Sequence, residues 1–135
     1  MEIPQDVKVF QCIKPQSIGI GATVTGTVVD TAGYDEAMII LDVGTITATG
    51  TLDVKVQEAV VAAFSTPIDI TGAAFPQVLP ATDDAVFVGH VRLTAARKRY
   101  MRVSATDATA AALMGCSIVL MKGIVKPAQT MSFSK

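Results

Sequence analysis

Two consecutive segments within residues 34–57 constrain the fold more than any other part of this sequence. Residues 37–43 read Ala-Met-Ile-Ile-Leu-Asp-Val and are almost continuously apolar, which is typical of a β-strand covered on both faces. After a connection at 44–50, residues 51–57 alternate polar and apolar side chains with period two. The apolar set faces a core, and the polar set faces water or a partner: Leu52, Val54 and Val56 against Asp53, Lys55 and Gln57. The two segments predict a layered β-domain with one central and one half-exposed strand.

Other strand patterns recur along the chain, separated by turn residues. We predict further strands at 17–30, 67–70, 85–93, 99–106 and 116–125. The segments 85–93 and 99–106 flank a short polar connection and therefore predict a β-hairpin. With seven or eight strands in all, the pattern predicts an all-β fold, an antiparallel β-sandwich or jelly roll.

A chain of 135 residues has the length of one domain. We expect the β-sandwich to occupy 17–125, with 1–16 as an N-terminal arm or edge strand and 126–135 as a C-terminal tail. The apolar run 59–64 fits either an extension of a strand or a short helical turn, because periodicity cannot decide at this length.

Composition excludes several classes of function. The net charge is -1 and the pI about 5.7, whereas nucleic-acid binding requires a basic surface, so we expect no nucleic-acid partner. No signal peptide is visible, and the longest apolar run, 108–121, is shorter than the roughly 20 residues that cross a bilayer, so we expect no membrane partner. Only 17% of the residues are charged, which suggests a surface that packs against neighbours.

The residues that carry chemistry do not form a recognisable catalytic or metal-binding pattern. His90 is the only histidine and lies within a strand pattern, and no nucleophile motif accompanies it. Cys12, His90 and Cys116 are too scattered for a zinc motif, so we expect no metal, no cofactor and no enzymatic activity. Two buried free thiols are the favoured state of the cysteines, as in a reducing compartment, although a disulfide remains an alternative.

A basic cluster is the one concentration of charge: Arg92, Arg97, Lys98, Arg99 and Arg102. If the hairpin forms, its first and last members project from the polar face and the others crowd the turn. The cluster is then either a solubilising loop or an electrostatic contact to an acidic partner surface.

Four segments of the chain carry a resemblance to a known group: 33–44, 50–58, 89–93 and 98–103. Together they resemble small β-rich virion proteins of tailed bacteriophages, which are encoded near the major capsid protein and often act as head decoration or cement proteins. The resemblance covers roughly 17–125. It implies a β-sandwich or jelly-roll-like subunit that binds the outside of the shell, commonly as a trimer at threefold sites.

The chain departs from this group after the strand that ends at Glu58. Members often continue there with a polar turn followed by a Trp, whereas residues 59–64 read Ala-Val-Val-Ala-Ala-Phe and the chain has no Trp. This departure points to an apolar contact surface.

These features predict a non-enzymatic virion protein that assembles in the host cytoplasm and decorates the capsid exterior. Its partner would be the major capsid protein, and a homotrimer is favoured. Candidate contacts are Val7, Val9, Phe10, Val60, Phe64, Arg92, Arg97, Lys98, Arg99 and Arg102. We expect removal of 1–13 to abolish shell binding while leaving a folded core.

Two alternatives to decoration remain. One is another phage structural subunit, such as a tail-tube, head-completion or head-fibre protein. The other is a carbohydrate-binding β-sandwich module. Modules of that kind usually stack sugars on exposed aromatic side chains, and this chain offers only Tyr34 and Tyr100 besides its phenylalanines.

Overall fold

The computed structural model describes residues 6–122 and 133–134, and within them the chain forms ten β-strands. The strands are β1 Val7–Ile18, β2 Thr23–Thr25, β3 Val29–Asp30, β4 Glu36–Ile46, β5 Thr51–Ala59, β6 Ile68–Ala74, β7 Ala85–Arg92, β8 Tyr100–Ala108, β9 Ala112–Met121 and β10 Phe133–Ser134. In this part of the chain, no helix is long and apolar enough to cross a membrane.

The strands form two sheets. The first sheet has the order β1-β9-β4-β7-β10, and the second has the order β2-β8-β5-β6, with β3 also paired to β8. The pairings are antiparallel except for that of β10 with β7. The predicted all-β antiparallel class is therefore confirmed.

The order of pairing identifies the topology. β1 pairs with β9, β2 with β8, β4 with β7 and β5 with β6, so the chain is a long antiparallel ribbon whose two arms lie side by side. Rolling this ribbon up brings β4 beside β9 and β5 beside β8. A ribbon rolled in this way into two packed sheets is a jelly roll.

The two segments that dominate the sequence lie in different sheets. β4 is the middle strand of the first sheet, and its inward side chains Ile39, Leu41 and Val43 are at most 2% exposed. β5 lies in the second sheet, where the predicted inward set is likewise buried: Leu52, Val54 and Val56. The connection between them crosses from one sheet to the other.

An aliphatic core fills the space between the sheets. Its largest fully buried members come from both layers: Ile18, Ile39, Leu41, Leu52, Met101, Ile118 and Leu120. At one side the sheets are joined by a hydrogen bond of 2.7 Å that the Thr27 amide donates to the Cys12 carbonyl. At the other side the rings of Phe75 and Phe133 meet edge to face, with centroids 4.8 Å apart.

The predicted hairpin of 85–93 and 99–106 is wrong. β7 lies in the first sheet and β8 in the second, so residues 93–99 connect the layers and do not turn within one sheet. Arg92 and Arg102 consequently do not share a face. In this fold the connections from β4 to β5, from β6 to β7, from β7 to β8 and from β8 to β9 all cross between the sheets. The hairpin rule assumes instead that a short connection joins hydrogen-bonded neighbours.

Other boundaries also differ from the expectations. The single strand at 17–30 is replaced by the end of β1 and by two short strands, β2 and β3, because a turn at 19–22 with Gly21 at φ 69° interrupts it. The 59–64 run leaves β5 at Ala59 and forms a turn. Residues 7–16 form an edge strand, which was one of the two alternatives for the N-terminal segment. Within the predicted tail, Phe133–Ser134 forms β10. The rest of that tail, 126–132 and 135, lies outside the described residues, as do 123–125 of the strand predicted at 116–125.

Candidate functional site

His90 is a buried side chain in the middle of β7. It is 6% exposed, and its Nε2 lies 3.2 Å from Oε1 of Glu36, a buried side chain of the adjacent strand β4. Both partners lie within a continuous sheet. Over residues 6–122 and 133–134, no group of three or more His, Cys, Asp and Glu side chains is arranged to hold a metal ion. The arrangement around His90 is that of a structural pair.

The cysteines are free, buried thiols on neighbouring strands of the first sheet. Cys12 lies at a bulge in β1, directly before Ile13, which pairs with Cys116 in β9. Its Sγ lies 3.5 Å from the Thr27 carbonyl oxygen. Burial raises the pKa of both thiols, which keeps them protonated and poorly nucleophilic.

We predict that both thiols resist labelling by a disulfide reagent in the folded protein. At pH 8, native labelling should be at least about 100-fold slower than labelling in urea, because the thiols react only after local or global opening. An exposed control thiol, Ser65→Cys, should label at once. Equal native and unfolded labelling rates would contradict the burial.

The raised thiol pKa also contributes stability that is present below about pH 8.5 and is lost as the pH rises towards the folded-state value.

The basic cluster does not form one free cationic surface. Glu58, which is 5% exposed, accepts a 2.8 Å hydrogen bond from the Lys98 amide and lies 3.7 Å from the Arg97 guanidinium. Arg99 makes a two-pronged contact to Asp30 at 2.9 and 2.8 Å, and these hydrogen bonds lower the pKa of Asp30 to about 2. Most of the cluster therefore organises the loops between strands.

Arg92 and Arg102 complete the cluster from separate sheets. Arg92 is exposed at the end of β7. Arg102 donates through Nε to Oε1 of Gln57 at 3.0 Å, and its guanidinium carbon lies 4.3 Å from the centre of the Phe64 ring.

The loop after β5 displays apolar side chains on a fixed frame; we call residues 60–64 the valine loop. Val60 is 67% exposed and Val61 is 47% exposed. Phe64, in contrast, is 5% exposed beneath Arg102, has a φ of 54°, and its amide donates a 3.0 Å hydrogen bond to the Val61 carbonyl. Phe64 thus anchors the loop and does not present its ring as a contact, whereas Val60 is available.

The candidate contact residues of the N-terminal segment also divide into exposed and packed side chains. Val9 is 66% exposed and Val7 is half-buried on the outer face of the first sheet. Phe10 is turned to the core, and the Lys8 ammonium lies 5.0 Å from the centre of its ring. Val9 is therefore the exposed apolar residue of this edge strand, and Phe10 is a packing residue.

A pocket of about 530 Å³, which we call the outer pocket, lies on the outer face of the first sheet where β1, β9 and β4 run together. Its lining includes Pro15, Ile40, Asp42, Gly44 and Leu113. It was not foreseen from the sequence, because its residues come from three distant segments. The only sequence feature that could have indicated the pocket is the pair of glycines Gly44 and Gly115. A Cβ on Gly44 would lie 3.1 Å from Leu113, and a Cβ on Gly115 would lie 3.2 Å from Pro15.

No protein-family model and no curated protein matches this sequence. In three dimensions the chain is similar to the PBSX exported protein XepA, with a TM-score of 0.62 at 10% identity, over 92% of this chain and 39% of that chain. The likeness is one of fold. This chain spans only about two-fifths of the length of XepA.

Two further structures are more distant, both with a TM-score of 0.43 at 9% identity. They are PirA, matched over 89% of this chain and 96% of that one, and the VP2 subviral particle of infectious bursal disease virus, matched over 87% and 33%. At this level of similarity they carry no weight for fold or function.

Proposed function

We propose that this protein is a non-enzymatic structural subunit of a tailed-phage virion that binds the outside of the capsid through the major capsid protein. The observation that carries the proposal is the jelly-roll topology, which is common in viral shell proteins, in a chain whose strands resemble phage head proteins. Fold alone admits other functions, so the proposal also depends on the surface. Adhesion would come from several modest apolar contacts, made stable by multivalency.

A carbohydrate-binding role finds less support on this surface. None of the seven aromatic side chains is exposed: five Phe and two Tyr are buried or half-buried. Tyr34 packs against the core, and the Arg99 guanidinium lies 5.3 Å from the centre of the Tyr100 ring. An aromatic platform for a sugar is therefore lacking among the described residues.

The exposed side of β1 is the surface we assign to the capsid. The strand lies at a sheet edge, and Val9 stands out from it beside the half-buried Val7. Removing residues 1–13 is not a usable test, because the deletion also takes Cys12 and Ile13 out of the core. A point substitution on the outer face tests the contact without removing the strand.

We predict that the purified protein co-sediments with undecorated shells of its phage and that Val9→Asp lowers its apparent affinity at least about tenfold, or 1.4 kcal/mol. The matched control is Ile20→Asp, an equally apolar residue that is 71% exposed in the β1–β2 turn and should leave occupancy unchanged. Absence of the wild-type protein from sedimented shells, together with its presence in tail fractions, would favour a tail subunit. Loss of binding in both variants would refute the assignment to β1.

A further inference from the structure

We propose that copies of this chain associate head to tail, with the valine loop of one copy seated in the outer pocket of the next. The inference can be tested separately from capsid binding, because Val9, the residue assigned to the capsid, lies in neither element, although Pro15 of β1 lines the pocket. It concerns two surfaces that lie at opposite ends of the sandwich. The valine loop follows Ala59, where β5 pairs with the start of β8, whereas the pocket lies near Gly44, where the end of β4 runs beside the start of β9.

The valine loop has the properties of a preformed knob. Val60 and Val61 are exposed, and Ile68, 47% exposed at the start of β6, extends the apolar surface. Phe64 holds the loop from below in a left-handed conformation that a non-glycine residue adopts at a cost of about 1 kcal/mol or more. A loop ordered in advance loses little conformational entropy on binding, which favours association.

The outer pocket has the properties of the matching recess. Its volume of about 530 Å³ lies within the range of sites that enclose small ligands, so it can receive two valine side chains. Leu113 forms an apolar wall and remains 48% exposed in the single chain. Pro15 closes the recess from β1, where the strand bulges between Ile13 and Gln16.

The charges around the two elements are complementary. Cations outnumber carboxylates at the base of the valine loop: Arg97, Lys98, Arg102 and Lys55 against Glu58 and Asp69. Several of these groups are paired with one another, and the surplus charge is positive. The pocket carries Asp42 in its lining, and the Asp84 amide donates a 3.2 Å hydrogen bond to the carbonyl of the lining residue Gly44. Two further charged residues are close in the chain: Asp83, which precedes Asp84, and the cation Lys14, which precedes the lining residue Pro15 on β1. A basic rim facing an acidic rim orients a head-to-tail contact, whereas two valine loops facing each other would bring like charges together.

A contact between different surfaces is heterologous, so it repeats from copy to copy. Such a contact closes into a ring if the rotation permits and otherwise produces a filament. A trimer with threefold symmetry requires a contact of this kind. Because one loop and one pocket form a small interface, we expect single contacts to be weak and a closed ring to be stabilised by its multivalency.

The test is sedimentation velocity with native mass spectrometry on the full chain over a range of concentrations. The wild-type protein should form concentration-dependent oligomers that weaken with added salt. Two kinds of variant should be monomeric, with self-association weakened at least about tenfold. One changes the valine loop, Val60→Asp/Val61→Asp, and the other changes the wall of the outer pocket, Leu113→Asp or the milder Leu113→Ser. Each position is exposed, so thermal unfolding should match that of the wild type. Ile20→Asp and Val9→Asp should oligomerise normally.

Mixing the two deficient variants gives the decisive observation. The variant with the altered valine loop retains the outer pocket, and the variant with the altered pocket retains the valine loop. The mixture should therefore form one-to-one dimers and nothing larger, at higher concentrations than the wild-type oligomers require, because each dimer is held by a single contact. Wild-type protein that stays monomeric at every concentration would overturn the inference, as would a Leu113→Asp variant that oligomerises normally. Failure of the mixture to form dimers would overturn it too. Val9→Asp oligomers that do not bind shells would leave this contact in place and concern only the capsid-binding surface.

Discussion

Replacing Gly89 with alanine should destabilise the protein by about 1–3 kcal/mol and loosen the far edge of the first sheet. Gly89 pairs with Phe133 between β7 and β10, and a Cβ at Gly89 would overlap the Phe133 ring. Phe133 is 8% exposed and packs on Phe75 in the second sheet, so it cannot move aside without giving up this contact. The glycine therefore leaves room for a ring that joins the two layers.

A double-mutant cycle separates this cause from a general effect of the substitution. Phe133→Ala alone should cost about 3–5 kcal/mol by urea denaturation, and in that background Gly89→Ala should cost almost nothing further. Gly19→Ala is the matched control, because no atom lies within 4 Å of the added Cβ. Costs that simply add would show that the ring and the glycine do not compete for the same space.

Replacing Leu41 with alanine should lower the free energy of unfolding by about 2–5 kcal/mol. The side chain is fully buried in β4, which has β9 on one side and β7 on the other, so the surrounding sheet has little freedom to collapse into the cavity. We expect the urea midpoint to fall with an unchanged slope, as for a variant that remains two-state.

Val86→Ala is the control for this prediction. Val86 lies in β7 with 59% of its side chain exposed, opposite Asp42 on the outer face of the same sheet. The substitution should change stability by no more than about 0.5 kcal/mol. If Leu41→Ala cost no more than Val86→Ala, the assignment of inward and outward faces in this sheet would be incorrect.

Periodicity predicted which side chains are buried but not which strands are neighbours. The alternation at 51–57 correctly gave the buried face of β5, and the continuous apolar run at 37–43 correctly gave a central strand. Alternation carries this information because it is a property of a single strand. The partner of a strand depends on the path of the whole chain, and residues 93–99 contain no signal that separates a turn within a sheet from a crossing between sheets.

The candidate surfaces were predictable to different degrees for the same reason. The valine loop is local in sequence, and its apolar residues already indicated a contact surface at 59–64. The hydrogen-bond partners of the basic cluster were not predicted, because Glu58, Asp30 and Gln57 lie far away in sequence. The outer pocket exists only after three distant strands have been brought together, so no single segment contains it.

The nested pairing has a consequence for how the chain reaches its native state. β1 is synthesised long before its partner β9, which ends at Met121, so β1 cannot pair until most of the polypeptide has been made. Most pairings in this fold join distant segments, and β-proteins with distant pairings fold slowly, on the scale of about milliseconds to seconds. During that interval the apolar strand β4 lacks its neighbours β7 and β9. We therefore expect this chain to be most prone to aggregation during synthesis and folding, before β4 is covered, and less so once it is folded.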